Sequence, residues 1–280
     1  MPIEEMIRQN TKHKRKARKI LLEQLKNWEK AKTFTLPKHK YKVGDYVYLK
    51  KGTFLHGTPF EKDVLSVISS EGLLSSEVIS KTADQKKYIQ KYPFCVCVWN
   101  LQKDMFLKDY IDLYCGITME YNDGKNIKTE LISYSRLKEG FDFIPKNTFS
   151  WKAEQTKEIR FMPSKTNLEI GKSRQLAFII NTDNDAIKPI LEYDIFSSKY
   201  DKSFLKNFVL PNVLNYFMHG KRNDFFTNRE SAIILGIPHN FIEGMLVGKE
   251  LEKDKSKLKE LKEMFPNCYI ANLNGQVIKR

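Results

Sequence analysis

Apolar residues change their spacing along this chain, and each change marks an element. Ile20, Leu21, Leu25 and Trp28 fall at helical spacing within residues 3–32, a stretch without glycine or proline. That pattern predicts one helix, closed off by Pro37. From 41 to 57 the pattern alternates, with Val47 and Leu49 on one strand face and Tyr46 and Tyr48 on the other. Val64, Leu65, Val67 and Ile68 then make the apolar face of a helix over 63–70, which Gly72 stops. Residues 94–99 and 115–121 read as strands, the second running into an Asn-Asp-Gly turn. Short strand-like runs and polar connections share 125–175. A buried strand follows at 176–180 and a helix around Pro211 at 204–217. Residues 232–235 and 241–247 are strands joined by a turn at Gly236-Ile237-Pro238. A charged helix over 251–265 and a terminal hairpin complete the chain. The class predicted is α+β, dominated by short mixed strands.

Length and composition narrow this picture. With 280 residues, 41% of them hydrophobic, the chain can bury a large core. No run reaches the ~18–20 apolar residues of a membrane span, and the basic N-terminus lacks the apolar stretch of a secretory signal. The expectation is a cytoplasmic protein with no membrane partner. Cys95, Cys97, Cys115 and Cys268 show no zinc-ligand spacing and are expected to be reduced core thiols; no metal is expected. Cys95 and Cys97, two apart on a strand, should share one face.

Charge changes the picture more. The net charge is +14, and residues 1–42 carry thirteen Lys/Arg against four Glu. The densest stretch is Thr11–Lys19, TKHKRKARK. It reads either as a patch for phosphate backbones and acidic surfaces or as a solvated helix with basic decoration. The division expected is a basic helical extension over 1–40 and a main domain over 41–280.

Two stretches carry candidate chemistry. In GTFLHGTPFEKDVLSVISSEGL, residues 52–73, His56-Gly57-Thr58 ends an apolar run. The imidazole and a backbone with no Cβ suit a ligand held by one side chain and one peptide group, although a tight strand-to-helix turn has the same composition. In NRESAIILGIPHNFIEGMLVG, residues 228–248, Glu230 stands at the mouth of a buried strand, after a loop with Lys221, Arg222, Phe225 and Phe226. It could face a cleft, or pair at the surface with Arg229 or a lysine.

Taken together, His-Gly-Thr at a strand end, a helix closing on Gly-Leu and the late Glu-led strand pair resemble the ADP-ribosyltransferase superfamily. The histidine-first motif resembles its diphtheria-toxin and poly-ADP-ribose-polymerase side, and the Glu230 stretch is similar to bacterial toxins that modify nucleic acid. The resemblance covers 46–72 and 176–247. It implies a split β-sandwich that binds NAD+ as substrate between two small sheets. His56 would bond the adenosine ribose, and Gly57, with Thr58 beside it, would hold the nicotinamide amide. Glu230 would bond the nicotinamide-ribose 2′-hydroxyl and stabilise the cation left at C1′. The activity implied is mono-ADP-ribosylation of a macromolecule, nucleic acid ahead of protein. A toxin-type protein of this kind leaves room for a neutralising partner protein, whose existence the sequence does not decide.

The sequence departs from the family pattern in three places. A nicotinamide-stacking tyrosine is expected on an intervening strand, and Tyr134, in Ser133-Tyr134-Ser135, and Tyr121 are the candidates. Asn228 stands where arginine-modifying toxins carry Glu or Gln, which puts arginine in doubt as acceptor. The distance from His56 to Glu230 is long for a compact catalytic domain and implies an insertion within 100–170. Phe225 and Phe226 would stack on a base or dock a protein, with Arg222 on a phosphate. Two rival readings stand beside this one: a non-catalytic nucleic-acid-binding protein on a degenerate transferase fold, and an NAD+-dependent RNA 2′-phosphotransferase, for which the Arg-His-x-x-Arg group is missing.

Overall fold

The computed structural model describes residues 1–37, 39–58, 60–79, 92–114, 117–122, 127–132, 150–151, 176–197, 199–211, 213–214 and 228–280. It is a mixed α/β structure. Its strands are β1 (Tyr48–Leu49), β2 (Phe54–Thr58), β3 (Gly72–Leu74), β4 (Cys95–Leu101), β5 (Met105–Phe106), β6 (Ile117–Asn122), β7 (Ile127–Ile132), β8 (Ser150–Trp151), β9 (Leu176–Ile180), β10 (Asn228–Ile234), β11 (Gly236–Pro238), β12 (Ile242–Val247), β13 (Tyr269–Ala271) and β14 (Val277–Lys279). Seven form the central sheet in the order β10-β4-β2-β9-β12-β13-β14, antiparallel throughout except between β12 and β13. Strands β6, β7 and β8 make a separate three-stranded sheet within the expected insertion.

The central sheet forks. β10 pairs with β4 over its whole length, from Asn228 opposite Leu101 to Ile234 opposite Cys95. β2 likewise pairs with β9 over all of Phe54–Thr58. Between β2 and β4, however, the ladder holds only Phe54 with Asn100 and Leu55 with Trp99. Beyond Leu55 the two halves part, and His56, Gly57 and Thr58 stand on one lip of the opening. Tyr193–Ile195 hold the outer edge of β10: Ile234 N–H donates to the Tyr193 carbonyl and Ile195 N–H to that of Ala232. The strand that carries Glu230 is therefore fixed on both sides.

Helix α1 (Ile3–Asn10) and helix α2 (Arg15–Lys32) replace the single helix predicted for 3–32. The break falls at residues 11–14. Buried Thr11 turns the chain there. Its hydroxyl donates to the Ile7 carbonyl, and its own carbonyl accepts from Lys14 N–H and from the Arg18 guanidinium. Both helices bury apolar stripes. Ile3, Ile7, Leu21, Leu25 and Trp28 share a core cluster with Ile234 and Leu235 at the end of β10.

Gln24 is the polar exception in this interface. It is fully buried and donates to the carbonyls of Ile190 and Ile234. Gln24→Ala removes this donor from both; the Ile190 carbonyl keeps the Tyr193 N–H, and an unsatisfied buried group costs about 1–3 kcal/mol. A loss of about 1–3 kcal/mol in urea unfolding is expected on that basis. A change below about 0.5 kcal/mol, the scale of a surface substitution, would contradict the account.

Further differences from the sequence reading are local. The helix predicted at 204–217 is interrupted: Lys202–Leu205 is helical, a turn follows, and helix resumes at Pro211, with Val213 and Leu214 in it. The residue before a proline avoids the helical region, which favours that interruption. The charged helix is two helices, Lys249–Lys253 and Lys255–Met264, with the Asp254 carboxylate capping the second through Lys257 N–H. The strands at 94–99, 176–180 and 241–247, the helix at 63–70 (α3, Lys62–Ser70) and the final hairpin agree with expectation within a few residues. No helix among the described residues is long and apolar enough to cross a membrane.

Gly236-Ile237-Pro238, predicted as a turn, is strand β11, paired antiparallel with β3: Gly236 faces Leu74, Ile237 faces Leu73 and Pro238 faces Gly72. The two motif stretches, distant in sequence, thus meet strand to strand. Two glycines permit it. Gly72 has φ +136° and Gly236 φ +124°, and a Cβ on either would run into the opposing backbone, at the Ile237 and Leu73 carbonyl oxygens respectively.

Candidate functional site

The fork in the sheet opens into a cavity of about 440 Å³ that His56, Thr58, Cys95, Cys97 and Glu230 line together. α3 walls it with Val64, Val67 and Ile68. β3 and the start of helix α4 (Ser76–Ile79) add Leu73, Leu74, Ser75 and Ser76, and Tyr92 stands beside them. The histidine of the first motif and the glutamate of the second therefore face one space.

His56 is half-buried, and its Nδ1 lies 2.8 Å from the Cys97 carbonyl oxygen. A carbonyl can only accept, so Nδ1 carries the proton, and in the neutral ring Nε2 is left as an acceptor. Gly57 is exposed. A Cβ there would meet nothing within 4 Å, so neither packing nor backbone geometry requires glycine at this position. The residue leaves an approachable peptide group at the lip of the fork. Thr58 is buried and closes β2 opposite Leu176.

Glu230 lies opposite Trp99 in the β10–β4 ladder. Alternation puts Glu230, Ala232 and Ile234 on the face shared with Trp99, Cys97 and Cys95. Burial pushes the Cys97 thiol well above its ordinary range; the negative charge of Glu230 and a hydrogen bond to its carboxylate add to the shift. The thiol is thus a protonated donor to Glu230, while the carbonyl of the same residue holds His56. Burial likewise raises Cys95, and it raises Cys268 to about 12; all three are free thiols. Cys115 lies outside the described residues.

Local backbone strain gathers at the inner end of the β4–β10 pair. Phe94 has φ 66° and Leu235 φ 70°, a region costly for residues with a Cβ. Leu235 N–H donates to the Phe94 carbonyl at 2.8 Å, and the Leu235 carbonyl accepts from Ser75 N–H at 3.0 Å. These bonds pin the corner where β10 turns into β11 and offset part of that strain.

Tyr134, Arg222, Phe225, Phe226, Lys221 and Ser133 lie outside the described residues. Asn228 opens β10 opposite Leu101, two residues before Glu230, and Tyr121 is on β6 opposite Lys128, in the separate sheet. The aromatic residue that lines the cavity among the described residues is Tyr92, packed edge-on against Phe196 at 5.2 Å. Neither it nor Cys97 was singled out as a site residue from the sequence. The available signal was position: Tyr92 stands three residues before the strand that lies between the His56 and Glu230 strands. No group of three His, Cys, Asp or Glu among the described residues is placed to hold a metal ion.

A second, polar cavity of about 590 Å³ sits at the turn between α1 and α2, lined by Lys12, His13, Lys14, Arg15, Lys16 and Lys206 with Ala17 and Asn207. The Lys14 ammonium lies 4.9 Å over the Phe94 ring, so this basic turn adjoins the corner just described.

No protein-family model, no curated protein and no solved structure matches the chain.

Proposed function

We propose that this protein is an NAD+-dependent ADP-ribosyltransferase acting on a macromolecular acceptor, with a split-sandwich active site in the fork between β2 and β4. The observation that carries the reading is that His56 and Glu230, from motifs at distant points of the chain, line one cavity at a break in the sheet. NAD+ enters as substrate. The His56 Nε2 accepts from a ribose hydroxyl, and the open peptide at Gly57 meets the nicotinamide amide. Tyr92 offers a ring for the nicotinamide face, a role assigned on its place in the cavity.

Chemistry follows from charge. The bond from ribose C1′ to the nicotinamide nitrogen breaks, and its electron pair leaves with nicotinamide. C1′ is left oxocarbenium-like, and the acceptor nucleophile bonds to it and loses a proton. Glu230 places a fixed negative charge beside that cation in a largely apolar cavity, where it stabilises the transition state more than the ground state. The Cys97 thiol and the β4–β10 ladder hold the carboxylate in place.

Among acceptors, the basic turn favours nucleic acid. Lys12, Arg15, Lys16 and Lys206 line one cavity beside the Phe94 corner, and none of them has an ion pair among the described residues. Changing all four to Gln should weaken nucleic-acid binding. It should also flatten the salt dependence by about 0.7–0.9 in log–log slope per lost phosphate contact. NAD+ cleavage without acceptor should be unchanged. Equal slopes for wild type and variant would remove this segment from acceptor capture. Incubation with labelled NAD+ and total lysate tests the whole reading: label should enter a nuclease-sensitive product. A protease-sensitive product would shift the acceptor to protein, and the absence of any labelled macromolecule would refute transfer.

A further inference from the structure

Apart from Met1 and Val43, the exposed large apolar side chains of the described residues are Tyr46 (49% exposed), Tyr48 (45%) and Phe106 (42%), and their rings gather on one patch. The patch is the outer face of the small β1–β5 sheet, where Tyr48 pairs with Phe106 and Leu49 with Met105. The inner residues Val47, Leu49, Met105 and Leu107 are buried in the core beneath it. Solubility alone would place polar residues outside, and a strand this short gives little reason for three exposed rings.

The platform is rigid. The Tyr41 hydroxyl accepts from Tyr48 N–H and donates to the Tyr48 carbonyl, closing the free edge of β1. Val47 N–H donates to the Gly275 carbonyl, and Leu107 N–H to that of Val47. The rings are also interleaved with positive charge. Lys108 Nζ lies 5.5 Å from the Tyr46 centroid and 5.8 Å from that of Phe106, and the Tyr48 and Phe106 rings meet edge to face at 5.1 Å. Lys42, Lys51 and Lys103 are exposed around them, with no ion pair among the described residues. Two neighbouring acids are engaged with backbone, Asp45 accepting from Lys42 N–H and Asp104 from Lys51 N–H, and Asp109 is exposed next in sequence to Lys108.

We infer that this face binds single-stranded nucleic acid. Unpaired bases stack on Tyr46, Tyr48 and Phe106, and the backbone phosphates meet Lys42, Lys51, Lys103 and Lys108. Every base has a π-face and every linkage a negative charge, so rings alternating with unpaired lysines on a rigid sheet match both repeats of such a strand. A duplex hides its base faces and satisfies only the charge. The site is separate from the fork cavity and from the basic turn, and it stands whether or not the chain transfers ADP-ribose.

The test uses the full chain with fluorescent single-stranded and duplex oligonucleotides of equal length, titrated at several salt concentrations. Wild type should prefer the single strand. Tyr46→Ala and Phe106→Ala should each weaken single-strand binding about tenfold, in line with the loss of one stacked base, and leave the salt slope unchanged. Phe106→Leu keeps the apolar contact and loses the aromatic face; it should weaken binding likewise, with its unfolding temperature as the control for folding. Lys103→Gln with Lys108→Gln should lower the slope. Equal affinity for duplex and single strand, or unchanged affinity in the ring variants, overturns the inference. So does a cross-linker placed at Tyr48 that captures protein and no nucleic acid.

Discussion

Glu230→Gln should slow NAD+ cleavage about 10²- to 10³-fold and leave NAD+ affinity within a few-fold of wild type. Glutamine keeps the length and the hydrogen-bonding capacity of glutamate but removes its charge. Removal of one preorganised electrostatic contact to a transition state costs about 2.7–4 kcal/mol. In the ground state the ribose carries little of the developing charge, so binding changes less. His56→Ala should do the reverse. It removes a ring already oriented by the Cys97 carbonyl, so NAD+ binding should weaken and the cleavage rate at saturation should change less. Calorimetry of NAD+ binding, beside single-turnover rates, separates the two. Loss of binding in a folded Glu230→Gln variant would contradict this division of roles.

Gly236→Ala should have the largest effect on stability, a loss of about 4 kcal/mol or more, the exceptional range for one substitution. Two penalties add. At φ +124° a residue with a Cβ is strained whatever its surroundings. The added methyl would also fall on the Leu73 carbonyl oxygen, and that neighbour is backbone, so no rotamer change makes room. β11 and β3 would have to separate, and the Leu235 corner that pins the end of β10 would go with them. Gly57→Ala is the contrasting case. A Cβ there meets open space, so stability should stay within about 0.5 kcal/mol, as for an ordinary surface change. Urea denaturation of the two variants checks both. A mild Gly236→Ala would show that the two motif stretches need not touch.

What the sequence made legible divides along physical lines. The strands at 94–99 and 176–180 were readable because their residues are mostly apolar on both faces. The fork was not, because it is a property of register: where β2 leaves β4 depends on which strands pair, and no local pattern records that. β11 was misread for a related reason. Gly-Ile-Pro has the composition of a turn, and only its partner, with Gly72 in it, makes it a strand. The basic run at 12–16 reads as the middle of a helix, since helical spacing of apolar residues does not register the turn that the Thr11 hydrogen bonds close there. For the site, His56 and Glu230 were legible as residue types in a suggestive order. Cys97, which touches both, was not, because one of its two contacts is made through its backbone carbonyl.

The central claim is that the fork cavity cleaves NAD+. Its most direct measurement is free nicotinamide released from NAD+ by the purified full chain, with and without added nucleic acid, followed in time for wild type and Glu230→Gln. The account predicts release by wild type that rises with acceptor, and a rate at least about a hundredfold lower for the variant. No nicotinamide from the folded wild type under any acceptor condition, or the same rate from both proteins, would contradict it.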